Sequence, residues 1–394
     1  MKTVILGVTA SIAAYKSLEL TRKLVKRNIK VIPVLTPEAK HLVPPLSLES
    51  LSSHKTFCDF FSQNESIIHI SIMNETDIIV VVPSTANFIG KLANGIVDNL
   101  LLGIVFASDK PVLIAPAMNK RMWNNPILSL NVKKLKKLGF YFVGPARGAL
   151  ACKDEGLGRL EDIDVILEEI LSLLEDKKDL AEKKLLITLG RTKEYLDPVR
   201  FISNDSSGKF GLEIAKVAKR RGAEVSIIAG YTDIKIPSFF NVIRVINTKG
   251  MEEKTVKTIK NMDVIIMNAA CSDFTPKSVK KDKIKKEKGD ITVSLKRTKD
   301  ILSLIKLKKA KQLVVGFSLD TKDIVNSAKR KMKEKGVDIM IANPANTVGC
   351  DSVEMTILTP GGKVNRFQKM SKSDAAEKII DTIASFFSNR NINR

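Results

Sequence analysis

Apolar runs alternate with amphipathic segments along the first half of the chain. Residues 3–8 (TVILGV) predict a strand. Residues 11–27 place Ile12, Tyr15, Leu18, Leu24 and Val25 at helical spacing, and 30–35 (KVIPVL) predict the next strand. Two further runs, 77–83 (DIIVVVP) and 111–117 (PVLIAPA), are apolar almost throughout, as strands covered on both faces require. Residues 163–184 predict a helix running into a charged, glycine-free linker near 176–184 with no apolar anchor. The pattern then restarts. Strands are expected at 184–190, 224–230, 263–270, 313–318 and 338–343, and helices at 209–221 and 372–387. A hairpin over 354–367 would turn at Pro360-Gly361-Gly362. Such alternation predicts two doubly wound α/β domains, 1–178 and 185–394, with ligands beyond the carboxyl ends of the strands.

Composition narrows the class. The 394 residues are 44% hydrophobic and 27% charged, enough for two cores without disulfides. No apolar run approaches the roughly 18 residues of a membrane span. The opening MKTVILGV has the look of a signal sequence for a few residues, but the polar residues that follow fit a buried first strand better. Cys58, Cys152, Cys271 and Cys350 lie far apart with no CxxC pair, which argues for a reducing cytoplasm and against zinc or a disulfide framework.

The net charge of +22 is concentrated in one half. Residues 1–180 hold 22 Lys/Arg against 19 Asp/Glu, and residues 181–394 hold 43 against 24. That excess suits an anionic ligand or a solvated lysine-rich surface. Aromatics are 5% of the chain and absent between Phe274 and Phe317, so the stacking platform of a single-strand binder is missing and no nucleic-acid partner is expected.

The candidate chemistry sits at strand ends. GVTASIAAYK (7–16) places Thr9, Ala10 and Ser11 between strand and helix, where backbone N–H groups and the helix dipole favour a phosphate. VVPSTANFIGKLANGIVDNL (81–100) brings Ser84, Thr85 and Asn87 to a helix start, and APAMN (115–119) ends in Met118 and Asn119. Each alone reads as an ordinary turn or N-cap. Cys152, in ALACKDEGLGRL, lacks the apolar neighbours of a packing cysteine.

Together, in this order, these motifs resemble the flavoprotein decarboxylases that act on amide-linked cysteine, specifically phosphopantothenoylcysteine decarboxylases, over about residues 1–175. The resemblance implies a flavodoxin-like or Rossmann-like domain that binds FMN through Thr9, Ala10, Ser11, Ser84, Thr85, Asn87 and Met118. It further implies His69, in SIIHISI, as an active-site base, Asn119 as a contact to the substrate carboxylate, and Cys152 as a proton donor on a closing flap. Oxidation of the substrate thiol to a thioaldehyde turns the neighbouring carboxylate into a β-thioxo acid that loses CO₂ readily; a base near neutral pH and an acid for the product enethiolate are then needed.

In the second half, ITLGRTKEYLDPVRFISNDSSGKFG (187–211) carries a loop too long for a GxGxxG turn and without the leading glycine of a P-loop. With NAACSDFTPKSVKKDKIKK (268–286), KRTKDIL (296–302), VVGFSLDT (314–321) and AKRKMKEKGVDIMIAN (328–343), it resembles phosphopantothenate–cysteine ligases over 185–394. The order of the two domains resembles the bifunctional enzymes of coenzyme A synthesis. By that resemblance Asn204 contacts 4′-phosphopantothenate or its acyl-nucleotide. Asn268, Ala269, Asp273, Lys283, Thr298, Lys299, Asp300, Ile301, Phe317, Lys331 and Lys335 form the nucleotide site, with Lys283 near the triphosphate. The spacing of Lys331 and Lys335 puts both on one helix face independently. The implied reaction activates a carboxylate with a nucleoside triphosphate and Mg²⁺, then lets the amine of L-cysteine attack. Leu189-Gly190-Arg191, Thr298-Lys299-Asp300, Phe317 to Thr321 and Ala342-Asn343-Pro344 depart from the family pattern; CTP is the expected nucleotide, with ATP open. The metal ligands are unassigned. A cytoplasmic homo-oligomer, with trimeric flavin domains and dimeric ligase domains, is also implied.

Overall fold

The computed structural model describes residues 1–60, 72–149, 155–285, 292–308, 311–320, 323–344 and 350–392. The chain forms two compact units, Met1–Asp176 and Lys177–Arg394.

In the first unit the apolar runs become five parallel strands: β1 (Thr3–Val8), β2 (Lys30–Leu35), β3 (Ile78–Ser84), β4 (Val112–Pro116) and β5 (Tyr141–Phe142). Their order is β2-β1-β3-β4-β5. Every residue of β1, β3 and β4 is buried, so both faces are covered, as their uninterrupted apolar sequence demands. The chain reverses winding direction between β1 and β3, the kind of switch point beside which ligands of such sheets bind. A separate antiparallel hairpin, β6 (Ala146–Ala149) with β7 (Glu155–Arg159), packs against the segment that follows β4. Met118 N–H donates to the Gly158 carbonyl at 2.9 Å. Gly158 has φ +143°, and a Cβ on it would stand 2.3 Å from the Met118 carbonyl oxygen, so only glycine permits this approach.

The second unit is built on an eight-stranded sheet. Its strands are β8 (Lys184–Leu189), β11 (Glu224–Ala229), β12 (Asn241–Arg244), β13 (Val264–Met267), β16 (Leu313–Asp320), β17 (Ile339–Pro344), β18 (Ser352–Leu358) and β19 (Val364–Ser371). Two small antiparallel ribbons lie outside it: β9 (Lys193–Tyr195) with β10 (Phe201–Ser203), and β14 (Phe274–Pro276) with β15 (Leu295–Arg297). The sheet order is β12-β11-β8-β13-β16-β17-β18-β19. Six strands are parallel in the Rossmann order, and the terminal pair is the antiparallel hairpin expected from Pro360-Gly361-Gly362. Alternate residues of the central strands divide between two cores. Leu185, Ile187, Val315 and Ile341 pack against the helices Lys209–Arg220 and Lys372–Ile392. Leu186, Ile265, Val314 and Ala342 face the helices Thr248–Thr258, Ile301–Lys308 and Ile324–Lys335.

Two expectations need correcting. The helix after residue 163 ends at Leu174. The following segment is not an unanchored linker. Leu180 is fully buried in the second unit's core, and its N–H donates to the Arg221 carbonyl at 3.1 Å. Asp179 pairs with Arg221, whose side chain is 3% exposed and also bonds Asp381 at 2.8 Å. A single leucine in a run of charges reads as solvated; here it is the plug that seats residues 177–183 on the sheet domain.

Candidate functional site

Three strand ends of the first unit are tied together by short polar side chains. Thr9, just past β1, donates its hydroxyl to the Pro83 carbonyl at 2.9 Å and accepts from the Thr85 N–H at 3.0 Å. Ser11 donates to the Ala117 carbonyl at 3.2 Å, and Ala117 N–H donates to the Ser84 carbonyl at 3.0 Å. Thr85 then caps the helix Ala86–Ala93 by accepting from Phe88 N–H, while Asn119 caps Lys120–Trp123 by accepting from Met122 N–H at 2.8 Å. The predicted residues Thr9, Ser11, Ser84, Thr85, Met118 and Asn119 are thus brought to one rim. Ala10 and Asn87 lie exposed beside it. Ser84 Oγ is fully buried and has no hydrogen-bond partner among the described residues. The donor set is neutral: hydroxyls, amides and helix starts, with no charged side chain among the predicted contacts. Such a set fits an uncharged ring system carrying one phosphate. His69 and Cys152 lie outside the described residues. Beside the Cys152 stretch, Ala149 pairs with Glu155 across the β6–β7 hairpin.

The second unit gathers its predicted residues far more fully. A cleft of about 1050 Å³ opens at the carboxyl ends of the strands. Asn204, Asn268, Ala269, Asp273, Thr298, Lys299, Asp300, Ile301, Phe317, Lys331 and Lys335 all line it. The chain reaches this arrangement through backbone anchors. Asn204 donates its side-chain amide to the Cys271 carbonyl at 2.9 Å, Ala269 N–H donates to Thr188 Oγ1 at 3.1 Å, and Thr298 N–H donates to the Asp273 carbonyl at 2.9 Å. Phe317 meets Phe210 edge to face, with centroids 5.7 Å apart.

Most of the cleft's lysines are held by acids. Lys331 Nζ lies 2.8 and 2.9 Å from the two oxygens of Asp320 and 3.1 Å from Ser318 Oγ. Burial would raise the Asp320 carboxyl, but the bonds from Lys331 and Ser318 outweigh it and hold Asp320 below the usual carboxylate range. Lys335 sits 3.4 Å from Asp300, which also accepts from Leu302 N–H at the start of its helix. Lys299 pairs with Glu252 at 3.2 Å. Cys271 lines the cleft, yet burial, together with Glu194 and Asp273, pushes its thiol up to about 12; it is protonated and no nucleophile.

Lys283 is the exception. It is exposed and is not among the residues lining the cleft. Its neighbour Ile284 is pinned instead to the loop before β10. Asp197, 0% exposed, accepts from Val199 and Arg200 N–H at 2.7 Å each and from Ile284 N–H at 3.0 Å, while Arg200 donates to the Ile284 carbonyl at 2.8 Å. These bonds pull the Asp197 carboxyl far below its ordinary value despite its burial. Sequence reading missed Asp197 as an organiser, and it missed Asp320, whose partner stands eleven residues away. It also passed over Lys209 and Lys372, which line the cleft.

Each of the two units has counterparts among known proteins. Residues 1–175 match the family model "Flavoprotein", and residues 180–387 match "DNA/pantothenate metabolism flavoprotein C-terminal domain". The coenzyme A biosynthesis bifunctional protein CoaBC of Bacillus subtilis is 39% identical over 97% of this chain and 97% of its own length. That of Borreliella burgdorferi is 37% identical over 96% and 98%. A solved C-terminal domain of such a bifunctional protein is 32% identical, with a TM-score of 0.48 over 54% of this chain and all of that one. A flavoprotein unit followed by a ligase unit, matched end to end at these identities, places the chain in the family of bifunctional coenzyme A biosynthesis enzymes, with a decarboxylase domain and a ligase domain.

Proposed function

We propose that the second unit joins L-cysteine to 4′-phosphopantothenate through an acyl-nucleotide, with CTP as the preferred nucleotide, and that the first unit decarboxylates the resulting phosphopantothenoylcysteine to 4′-phosphopantetheine with FMN. The observation that carries this reading is the single cleft lined by eleven of the residues assigned to nucleotide and acyl substrate. The domain limits, 1–178 and 185–394, are part of the same proposal, with the seam drawn back to residue 176/177 by the seating of Leu180.

In the ligase cleft no protein nucleophile is required. The substrate carboxylate attacks the α-phosphorus of the nucleotide, pyrophosphate leaves, and the cysteine amine displaces the nucleotide monophosphate. Asn204 and Asp273 would orient the acyl group and the nucleotide, and Lys331 and Lys335 would neutralise phosphate charge after releasing Asp320 and Asp300. Lys283 would have to move into the cleft to serve the triphosphate. Among the described residues no three His, Cys, Asp or Glu side chains are grouped to hold a metal; an Mg²⁺ ion carried on the triphosphate with its own waters suits that chemistry.

In the decarboxylase unit, Thr9, Ala10, Ser11, Ser84, Thr85, Asn87 and Met118 would hold the flavin at the strand ends. Bound FMN would supply the two-electron oxidation of the substrate's thiol-bearing carbon and return the electrons when the product is formed. Asn119 would bind the departing carboxylate, His69 would take a proton, and Cys152 would protonate the product side. Cys152→Ser should retain flavin and release CO₂ while the unsaturated enethiol accumulates, because a hydroxyl is a far weaker acid than a thiol. His69→Asn should keep flavin and lose CO₂ release by about a hundredfold or more.

Among the described residues no helix is long and apolar enough to cross a membrane. A cytoplasmic setting and a homo-oligomer of trimeric flavin units and dimeric ligase units complete the proposal. The test is direct. The purified chain is incubated with 4′-phosphopantothenate, L-cysteine and Mg²⁺, and with CTP or ATP separately. Pyrophosphate, phosphopantothenoylcysteine, CO₂ and 4′-phosphopantetheine are scored, together with the absorbance of bound flavin. Pyrophosphate without amide product, or a colourless protein that takes up no flavin, would defeat the corresponding half.

A further inference from the structure

The cleft of the second unit straddles the end of the sheet, and its two sides differ. On one side Lys331 and Lys335, from the helix Ile324–Lys335, are each matched to a carboxylate. On the other side, formed by the helices Lys209–Arg220 and Lys372–Ile392, the balance is different. Lys372 lines the cleft and is 8% exposed, yet no hydrogen bond or ion pair is made by its Nζ among the described residues. Its backbone N–H donates to the Asp351 carbonyl, but the Asp351 carboxylate is taken by Lys209.

The acids at this corner, Asp351 and Asp374, are bonded to other groups, and the rest of it is positive or neutral. Lys372 is the first residue of a 21-residue helix, where the dipole disfavours a cation. The helix Lys209–Arg220 points its N-terminus at the same cleft, begins at Gly208 with no side-chain cap, and carries Lys209 as its first residue. The acid in the first turn of the last helix, Asp374, is bonded to Ser371 and is exposed. Burial and the neighbouring Lys209 pull the Lys372 ammonium below the usual lysine range. A lysine whose side chain is largely buried, with no acid bonded to its ammonium among the described residues and a helix N-terminus beside it, is a favourable place for an anion to bind.

We propose that Lys372, with Lys209 and the N-terminal amides of the helix Lys209–Arg220, forms a phosphate subsite of the ligase cleft, and that Lys372 is a substrate-binding residue of the ligation reaction. This deepens the proposed function and rests on it, since both substrates of that reaction other than cysteine carry phosphate. The phosphate is either the monoester end of 4′-phosphopantothenate or part of the nucleotide's polyphosphate.

The experiment uses the full chain and the variants Lys372→Gln and Lys372→Arg. The KM for each phosphate-bearing substrate is measured in the ligation assay, with kcat alongside. Lys372→Gln should raise one of the two KM values about tenfold or more, the scale of a lost charge-assisted hydrogen bond, while changing kcat less; Lys372→Arg should recover most of it. The substrate whose KM moves identifies the source of the phosphate. A second readout needs no turnover: tripolyphosphate and inorganic phosphate should raise the melting temperature of the wild type and shift that of Lys372→Gln much less. If the wild type ligates and Lys372→Gln keeps both KM values and the full anion-dependent shift, the subsite is wrong although the function stands. If the wild type does not ligate at all, the function itself has failed.

Discussion

The strand ends of the two units are built from opposite materials. In the first unit the rim is made of Thr9, Ser11, Thr85 and Asn119, whose hydrogen bonds tie one strand end to the next. In the second, the walls carry lysines, and most are matched to acids: Lys331 to Asp320, Lys335 to Asp300, Lys209 to Asp351 and Lys299 to Glu252. A neutral rim braced by hydroxyls suits a ligand that stays. Lysines held by exchangeable carboxylates suit polyanions that arrive and leave in every turnover, because the ion pair keeps each cation in place and lowers the cost of an empty site. The flavin-type site is therefore a matter of shape, and the ligase cleft a matter of charge.

The comparison breaks most sharply at the seam. A fragment beginning at Lys177 should fold and ligate, whereas one beginning at Lys184 loses the buried Leu180 and the acid against Arg221. That loss is on the order of 5 kcal/mol or more, comparable to a whole domain's stability, and a thermal melt should show no cooperative transition. Next, Gly158→Ala drives a methyl into the Met118 carbonyl and should cost about 1–3 kcal/mol in the first unit. Flavin absorbance and CO₂ release should fall while pyrophosphate release is unchanged; equal loss of both activities would mean that the two sites are not independent. Thr9→Val removes one donor and one acceptor from a buried network, at about 1–3 kcal/mol, and should lower flavin retention without altering the salt dependence of ligation. Raising ionic strength from about 0.05 to about 0.5 M should raise the nucleotide KM several-fold and leave flavin retention almost untouched, because screening acts on charge and not on shape. The smallest effect is on pH. Asp197 and Asp320 are both held below the ordinary carboxylate range, so their contribution is complete above about pH 4 and drains away as the pH falls through their lowered values. The second unit of Asp197→Asn should accordingly lose less stability on acidification than the wild type does, read by circular dichroism.

The architecture was legible because its signal is local. Runs such as DIIVVVP and PVLIAPA can hardly be anything but strands covered on both faces, and the structure buries every residue of β3 and β4. The ligase residues were legible as motifs, and the cleft collects them all except Lys283. What escaped was pairing across distance. Nothing near Lys331 in sequence announces Asp320, and nothing near Ile284 announces Asp197, because a hydrogen bond made by tertiary folding leaves no periodicity. Leu180 escaped for the contrary reason: its neighbours in EDKKDLAEKK are all charged or small, so the local pattern spoke for solvent while one side chain filled a core. Lys372 was one lysine among many until its burial separated it from the rest.

The last helix has a consequence for how the chain is made. Ala375, Ala376, Ile379, Ile380 and Ile383 belong to the second unit's core, Lys372 reaches its cleft, and Glu377 and Asp381 hold Arg220 and Arg221, to which the segment 177–183 is fastened. The beginning of this unit is therefore secured by its end. A ribosome adding about 5–20 residues per second delivers that helix only after all the other strands have emerged. The first unit can close while synthesis continues, but the second must wait with its parallel strands exposed until this helix has been made. Lesions that remove this helix should then be as damaging to ligation as lesions in the cleft itself, and the nascent second unit stands in greater need of a chaperone than the first.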